Sequence, residues 1–66
     1  MKIVANGQPR AVAEHTTVAA LLESLSLNPA ATVVQRNNEI VDRAAYADIV
    51  LAEGDTLELV RFVGGG

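Results

Sequence analysis

Thr56-Leu57-Glu58-Leu59-Val60-Arg61-Phe62-Val63 runs directly into Gly64-Gly65-Gly66, so that an apolar strand delivers three glycines in a row. The run from Thr56 to Val63 is the clearest strand signal in the chain. With a side-chain period of two, Leu57, Leu59, Arg61 and Val63 share one face and Glu58, Val60 and Phe62 share the other. The glycines lack a Cβ, so they do not pack, yet they can thread a channel too narrow for other residues. Read as a terminus, the tail ends in a free carboxylate on Gly66. A frayed end or a cloning scar would also end in glycines, so the tail takes its meaning from the body that precedes it.

Upstream of this strand, Glu53-Gly54-Asp55 is a tight turn, and Ile49-Val50-Leu51 reads as a buried crossing segment. Arg43 to Ala47 is alanine-rich and suits a short helical turn. Thr32–Arg36 and Glu39–Val41 are β-rich segments on either side of Asn37-Asn38, a pair that tolerates left-handed backbone, and together they predict a hairpin. Val18, Leu21, Leu22 and Leu25 fall at i, i+3, i+4 and i+7, the apolar stripe of a helix. Thr17 is its expected N-cap, with Thr16 a second candidate one residue earlier, and Asn28-Pro29 ends the helical region. At the other end of the chain, Lys2–Ala5 is apolar enough to lie inside a sheet, and Asn6-Gly7 is the pair that most cheaply adopts the positive φ of a two-residue hairpin loop. The returning strand, Gln8 to Ala13, contains Pro9, which cannot donate to a ladder and so assigns this strand to an edge.

The order is therefore β-β-α-β-β-β, an α+β domain with one main helix. Leu57 and Leu59 are expected to meet the helix stripe. Val60 and Phe62, beside Val4, then lie on the opposite face, where no second helix is available to cover them, and form a partly exposed apolar patch next to the tail.

Composition excludes several kinds of chemistry. At 66 residues the chain is one small domain, which hides only about 60% of its unfolded surface. Half of the residues are hydrophobic, mostly Ala, Val and Leu, with Tyr46 and Phe62 the only aromatics, so the core is small and aliphatic. The absence of cysteine rules out disulfides, thiolate metal sites and thiol nucleophiles, and suits a reducing cytoplasm. Asn6-Gly7 interrupts the opening apolar run too early for a signal peptide, and no run approaches membrane-spanning length. The net charge is −3, and Lys2, Arg10, Arg36, Arg43 and Arg61 are scattered, which argues against nucleic acid as a partner. His15 has no second histidine with which to share a metal. Ser24 and Ser26 lack a base at any readable spacing, and Asp42, Asp48, Glu53 and Asp55 sit at turns, where acids cap backbone N–H groups. No glycine-rich turn followed by Lys-Ser/Thr offers a phosphate cradle. The reading is a non-enzyme with no catalytic residue and no metal site, whose chemistry lies in the tail.

Taken together, Ile3-Val4-Ala5-Asn6-Gly7, Thr17-Val18 with Leu21-Leu22, the Asn37–Val41 segment, Gly54-Asp55 with Glu58, and Val63-Gly64-Gly65-Gly66 resemble the thiamine-biosynthesis sulfur carriers, small ubiquitin-like β-grasp proteins. The likeness covers the whole chain. It implies a mixed sheet of about five strands with the helix across one face and the last strand central beside the first. It also implies a β-grasp domain over residues 1–63 and a flexible glycine tail over 64–66. The implied chemistry is that of a protein co-substrate. An E1-like adenylating enzyme, using ATP and Mg²⁺, converts the Gly66 carboxylate to an acyl adenylate, sulfur from a persulfide donor converts that to a thiocarboxylate, and thiazole synthase receives the sulfur. Gly64, Gly65 and Gly66 would thread the partner's active site while Val60, Phe62, Val63, Val4 and Arg61 contact its surface. The molybdopterin-synthase small subunit, which shares the fold and a diglycine end, is the nearest alternative, although Phe62-Val63 leads into glycine here without an intervening proline. A protein-conjugating modifier and a β-grasp binding module, to which the glycines would be irrelevant, are the others.

Overall fold

The computed structural model of the chain describes residues 1–62; Val63 and the tail lie outside the described residues, and with them the expected boundary between domain and tail. Five strands form one mixed sheet: β1 (Lys2–Ala5), β2 (Gln8–Ala11), β3 (Thr32–Arg36), β4 (Glu39–Ile40) and β5 (Thr56–Arg61), in the order β2-β1-β5-β3-β4. β5 is parallel to β1 and antiparallel to β3, so the last strand occupies the centre of the sheet beside the first, as the resemblance implied. The helix α1 (Val18–Ser24) supplies Val18, Leu21 and Leu22 to a core completed by Ile3, Ala5, Val34, Val41, Tyr46, Leu51, Leu57 and Leu59.

The turns follow the local chemistry. Asn6 and Gly7 take φ of +51° and +79°, and Asn37 and Asn38 take +51° and +72°, so both two-residue loops use left-handed backbone. Met1 and Val12 exchange hydrogen bonds across the β1–β2 pair, which by alternation places Val4 and Pro9 at a non-hydrogen-bonded position. The missing N–H of Pro9 therefore faces the free edge and costs no ladder bond, which is how a proline sits in this strand. β2 is shorter than Gln8–Ala13, ending at Ala11, and β5 ends at Arg61, although Phe62 N–H still donates to Ala31 C=O at 3.0 Å.

Thr17 caps the helix, its hydroxyl accepting from Ala20 N–H at 3.1 Å. The end of the helix differs from expectation. Asn28-Pro29 does not stop it: the last helical residue is Ser24, and Ser26 turns left-handed at φ +58°. Leu27 N–H then bonds Leu22 C=O and Ser26 N–H bonds Glu23 C=O, the paired bonds of a Schellman motif. Pro29 instead opens a 3₁₀ turn, Pro29–Ala31, capped by Asn28, whose Oδ1 accepts from Ala30 N–H. The expected helical turn near Arg43 is a second 3₁₀ turn, Arg43–Ala45, and it delivers Tyr46 to the core, where its hydroxyl donates to Thr32 C=O at 2.7 Å.

Ile49-Val50-Leu51 is not buried throughout. It runs extended and antiparallel to Thr16–Val18, so its side chains alternate: Leu51 is buried, Ile49 half-buried, and Val50 is turned outward and 47% exposed. Among the described residues no helix is long and apolar enough to cross a membrane.

The strained helix end yields a stability prediction. Ser26→Gly removes the cost of a left-handed residue with a Cβ, partly offset by a freer unfolded chain, and should stabilise the domain by about 0.5 kcal/mol. Thermal unfolding followed by circular dichroism should show a melting temperature raised by roughly 2–4 °C, and an unchanged or lower value would show that Ser26 makes a compensating contact.

Candidate functional site

The candidate site is the far end of β5, and its geometry begins where that strand enters the sheet. Asp55, buried just before β5, accepts Arg36 Nε–H at 2.8 Å and Ala52 N–H at 2.8 Å on Oδ2, and Asn37 Nδ2–H at 3.1 Å on Oδ1. Burial by itself raises the acid's pKa, but the Ala52 N–H, the Asn37 amide and the Arg36 guanidinium outweigh it and hold the carboxyl below its ordinary 3.8. The expectation that turn acids cap backbone groups holds for Asp55, for Asp42, which accepts Ala44 N–H, and for Glu53, which accepts Lys2 N–H.

Two asparagine side chains extend the ladders of β5 past their backbone partners. Asn37 Oδ1 accepts Thr56 N–H at 2.9 Å while Asn37 N–H donates to Thr56 C=O at 2.7 Å. On the other edge, Asn6 N–H donates to Leu57 C=O at 2.9 Å, and the Asn6 side chain then pairs with the next position, accepting Leu59 N–H at 2.7 Å and donating to Leu59 C=O at 3.3 Å. Both residues were read from sequence only as turn formers. A carboxamide carries the same donor and acceptor as a peptide group, and that is the signal a sequence reading could have used.

The outward face at this end of the sheet is apolar. Val60, 57% exposed, lies directly opposite Val33 of β3, and Phe62, 44% exposed, follows it on the same face. Val33 is an addition to the expected patch: it alternates with the buried Val34, and the register with β5 was not readable from sequence. Val4 is a correction. It shares the face but pairs with Thr56, four residues or about 13 Å along β5 from Val60, with Glu58 between them, so it does not adjoin the patch. Arg61 lies on the helix-facing side, opposite Thr32, and is exposed. Val63, Gly64, Gly65 and Gly66 lie outside the described residues. His15 is exposed, and among the described residues no three His, Cys, Asp or Glu side chains gather as a metal site would require.

A five-stranded mixed sheet carrying one helix on one face, with its last strand central and leading toward glycines, is a ubiquitin-like β-grasp domain. The crystal structure of the thiamine biosynthesis protein (ThiS) from Geobacter metallireducens superimposes with a TM-score of 0.84 at 33% identity over the whole of both chains. The sulfur carrier protein ThiS of Escherichia coli is 33% identical over 66 residues, the full length of each. A thiazole synthase of Paramagnetospirillum magneticum is 44% identical over the whole of this chain, which spans only 20% of that protein's length. Residues 3–66 match the ThiS family, and the chain belongs to it.

The Asp55 network makes stability acid-sensitive in a defined direction. Because the folded state holds this carboxyl below 3.8, its contribution is fully present above that value and is lost as pH falls through the lower folded pKa. Asp55→Asn should lower stability at neutral pH by about 1–3 kcal/mol and flatten the acid limb below pH about 4. Urea unfolding midpoints across pH 2–7 check this, and parallel wild-type and variant curves would refute it.

Proposed function

We propose that this chain is a sulfur carrier of thiamine biosynthesis whose reactive group is the Gly66 carboxylate. The observation that supports this most is that the family match extends through residue 66, so the glycines belong to the shared pattern rather than being appended to it. The similarity to proteins named as thiazole synthases supports a thiazole synthase as the acceptor of the sulfur.

In this reading the chain is a protein co-substrate and the catalytic groups belong to its partners. An α-carboxyl is ionised at neutral pH, and its oxygen can attack the α-phosphorus of ATP once Mg²⁺ and basic side chains of an adenylating enzyme neutralise the triphosphate. Pyrophosphate leaves, and the resulting mixed anhydride with AMP is an acyl donor where the carboxylate was not. The terminal sulfur of a persulfide donor displaces AMP to give an acyl disulfide. A thiol reductant cleaves its S–S bond to release the thiocarboxylate and is left as a disulfide with the donor's thiol. The thiocarboxylate then passes its sulfur to thiazole synthase in the cytoplasm. Gly64-Gly65-Gly66 lets the reacting end enter a narrow site, and Val60 and Phe62, with Val33, offer an apolar anchor for the folded body outside.

Incubated with an E1-like adenylating enzyme, ATP, Mg²⁺, a persulfide donor and a thiol reductant, the protein should gain the mass of one oxygen-to-sulfur exchange in the tryptic peptide Phe62–Gly66. The carrier reading fails if a competent enzyme leaves that peptide unchanged. For the anchor, Phe62→Asp should weaken binding to the adenylating enzyme by about tenfold or more while leaving the melting curve close to wild type, because the ring is already 44% exposed. Loss of folding in this variant would instead assign Phe62 to the core.

A further inference from the structure

We propose that Asn6 is a positioning residue for the tail: its side chain fixes the direction in which β5 leaves the domain. β1 ends at Ala5, opposite Leu57, so its backbone reaches no further along β5. The carboxamide of Asn6 replaces the missing peptide group by bonding both N–H and C=O of Leu59. Even-numbered residues of β5 face β3, as Thr56 and Phe62 do, while Leu57 and Leu59 face β1 and the Asn6 turn. Leu59 is therefore the last position at which β5 is held on both edges. Beyond it, Val60 to Phe62 are held from β3 alone, and the tail follows.

The clamp fixes the course of β5 up to Leu59. A partner that binds the folded body then meets the end of β5 without having to order it at the moment of binding, and saved ordering appears as tighter apparent binding rather than faster chemistry. The consequence for loading rests on the carrier reading above; the clamp itself does not.

Asn37 supplies the control. It has the same φ of +51° and the same kind of side-chain bond to β5, but at Thr56, the end remote from the tail. Asn6→Gly and Asn37→Gly both keep the left-handed backbone and delete one carboxamide. In Asn6→Gly, amide exchange at Leu59 should rise by at least about tenfold while Ile3 and Leu21, whose N–H bonds Thr17 C=O, stay protected. The KM for adenylation, read as pyrophosphate release with varied carrier, should rise about five- to tenfold with kcat retained. Asn37→Gly should lower the melting temperature without moving KM, and Asn6→Asp, which keeps the acceptor for Leu59 N–H, should recover part of the loss. Equal KM effects from the two glycine variants, or unchanged Leu59 exchange in a folded Asn6→Gly, would overturn the proposal. If the wild-type chain takes no sulfur at all, the carrier reading fails and the exchange data alone decide the clamp.

Discussion

The hydrogen bonding of β5 along both edges is the constraint on which the rest of the domain depends. β5 arrives last in sequence and occupies the centre of the sheet, so neither hairpin is joined to the other until it is in place. β1 and β2 pair locally, as do β3 and β4, but a two-stranded hairpin is marginal alone. Leu57 and Leu59 bring the two hairpins into contact with the helix, because their faces meet the buried stripe of Val18, Leu21 and Leu22.

That arrangement explains why the polar groups around β5 are so completely used. Where a strand is flanked on both sides, as β5 is up to Leu59, neither edge meets solvent, so each N–H and C=O needs a protein partner or costs the loss of its hydration. Where β1 and β3 run out, side chains take over: Asn6 at Leu59, Asn37 at Thr56. Asp55 does the same for the turn before the strand, joining Ala52, Asn37 and Arg36 around one carboxylate. Among the described residues no buried side-chain nitrogen or oxygen lacks a partner.

The same topology separates stability from function. One face of β5 is spent on the core, and the other, with no helix to cover it, leaves Val60 and Phe62 beside Val33 near the strand's end. A small domain can spare these apolar residues because its core is complete without them, and the carrier reading proposed above makes them a surface for a partner to hold. The carrier reading thus divides the chain into a rigid mount and a reactive end.

Local chemistry was legible in the sequence wherever a single residue type dictates backbone geometry. Asn6-Gly7 and Asn37-Asn38 marked the two hairpins, Pro9 marked an edge, Thr17 marked the start of the helix, and the period-two run from Thr56 marked the last strand and its two faces. The end of the helix was misread because a proline is a visible stop, whereas Ser26 adopts left-handed backbone only through the paired bonds of Leu27 and Ser26 back to the helix. Val50 was misplaced because periodicity over three residues cannot show which way an extended segment turns. Strand order, the distance between Val4 and Val60, the entry of Val33 into the patch, and the bonds from Asn6 to Leu59 all join residues remote in sequence. Those were decided by tertiary structure alone, because register between strands is set by packing across the whole sheet and not by any one strand's own pattern.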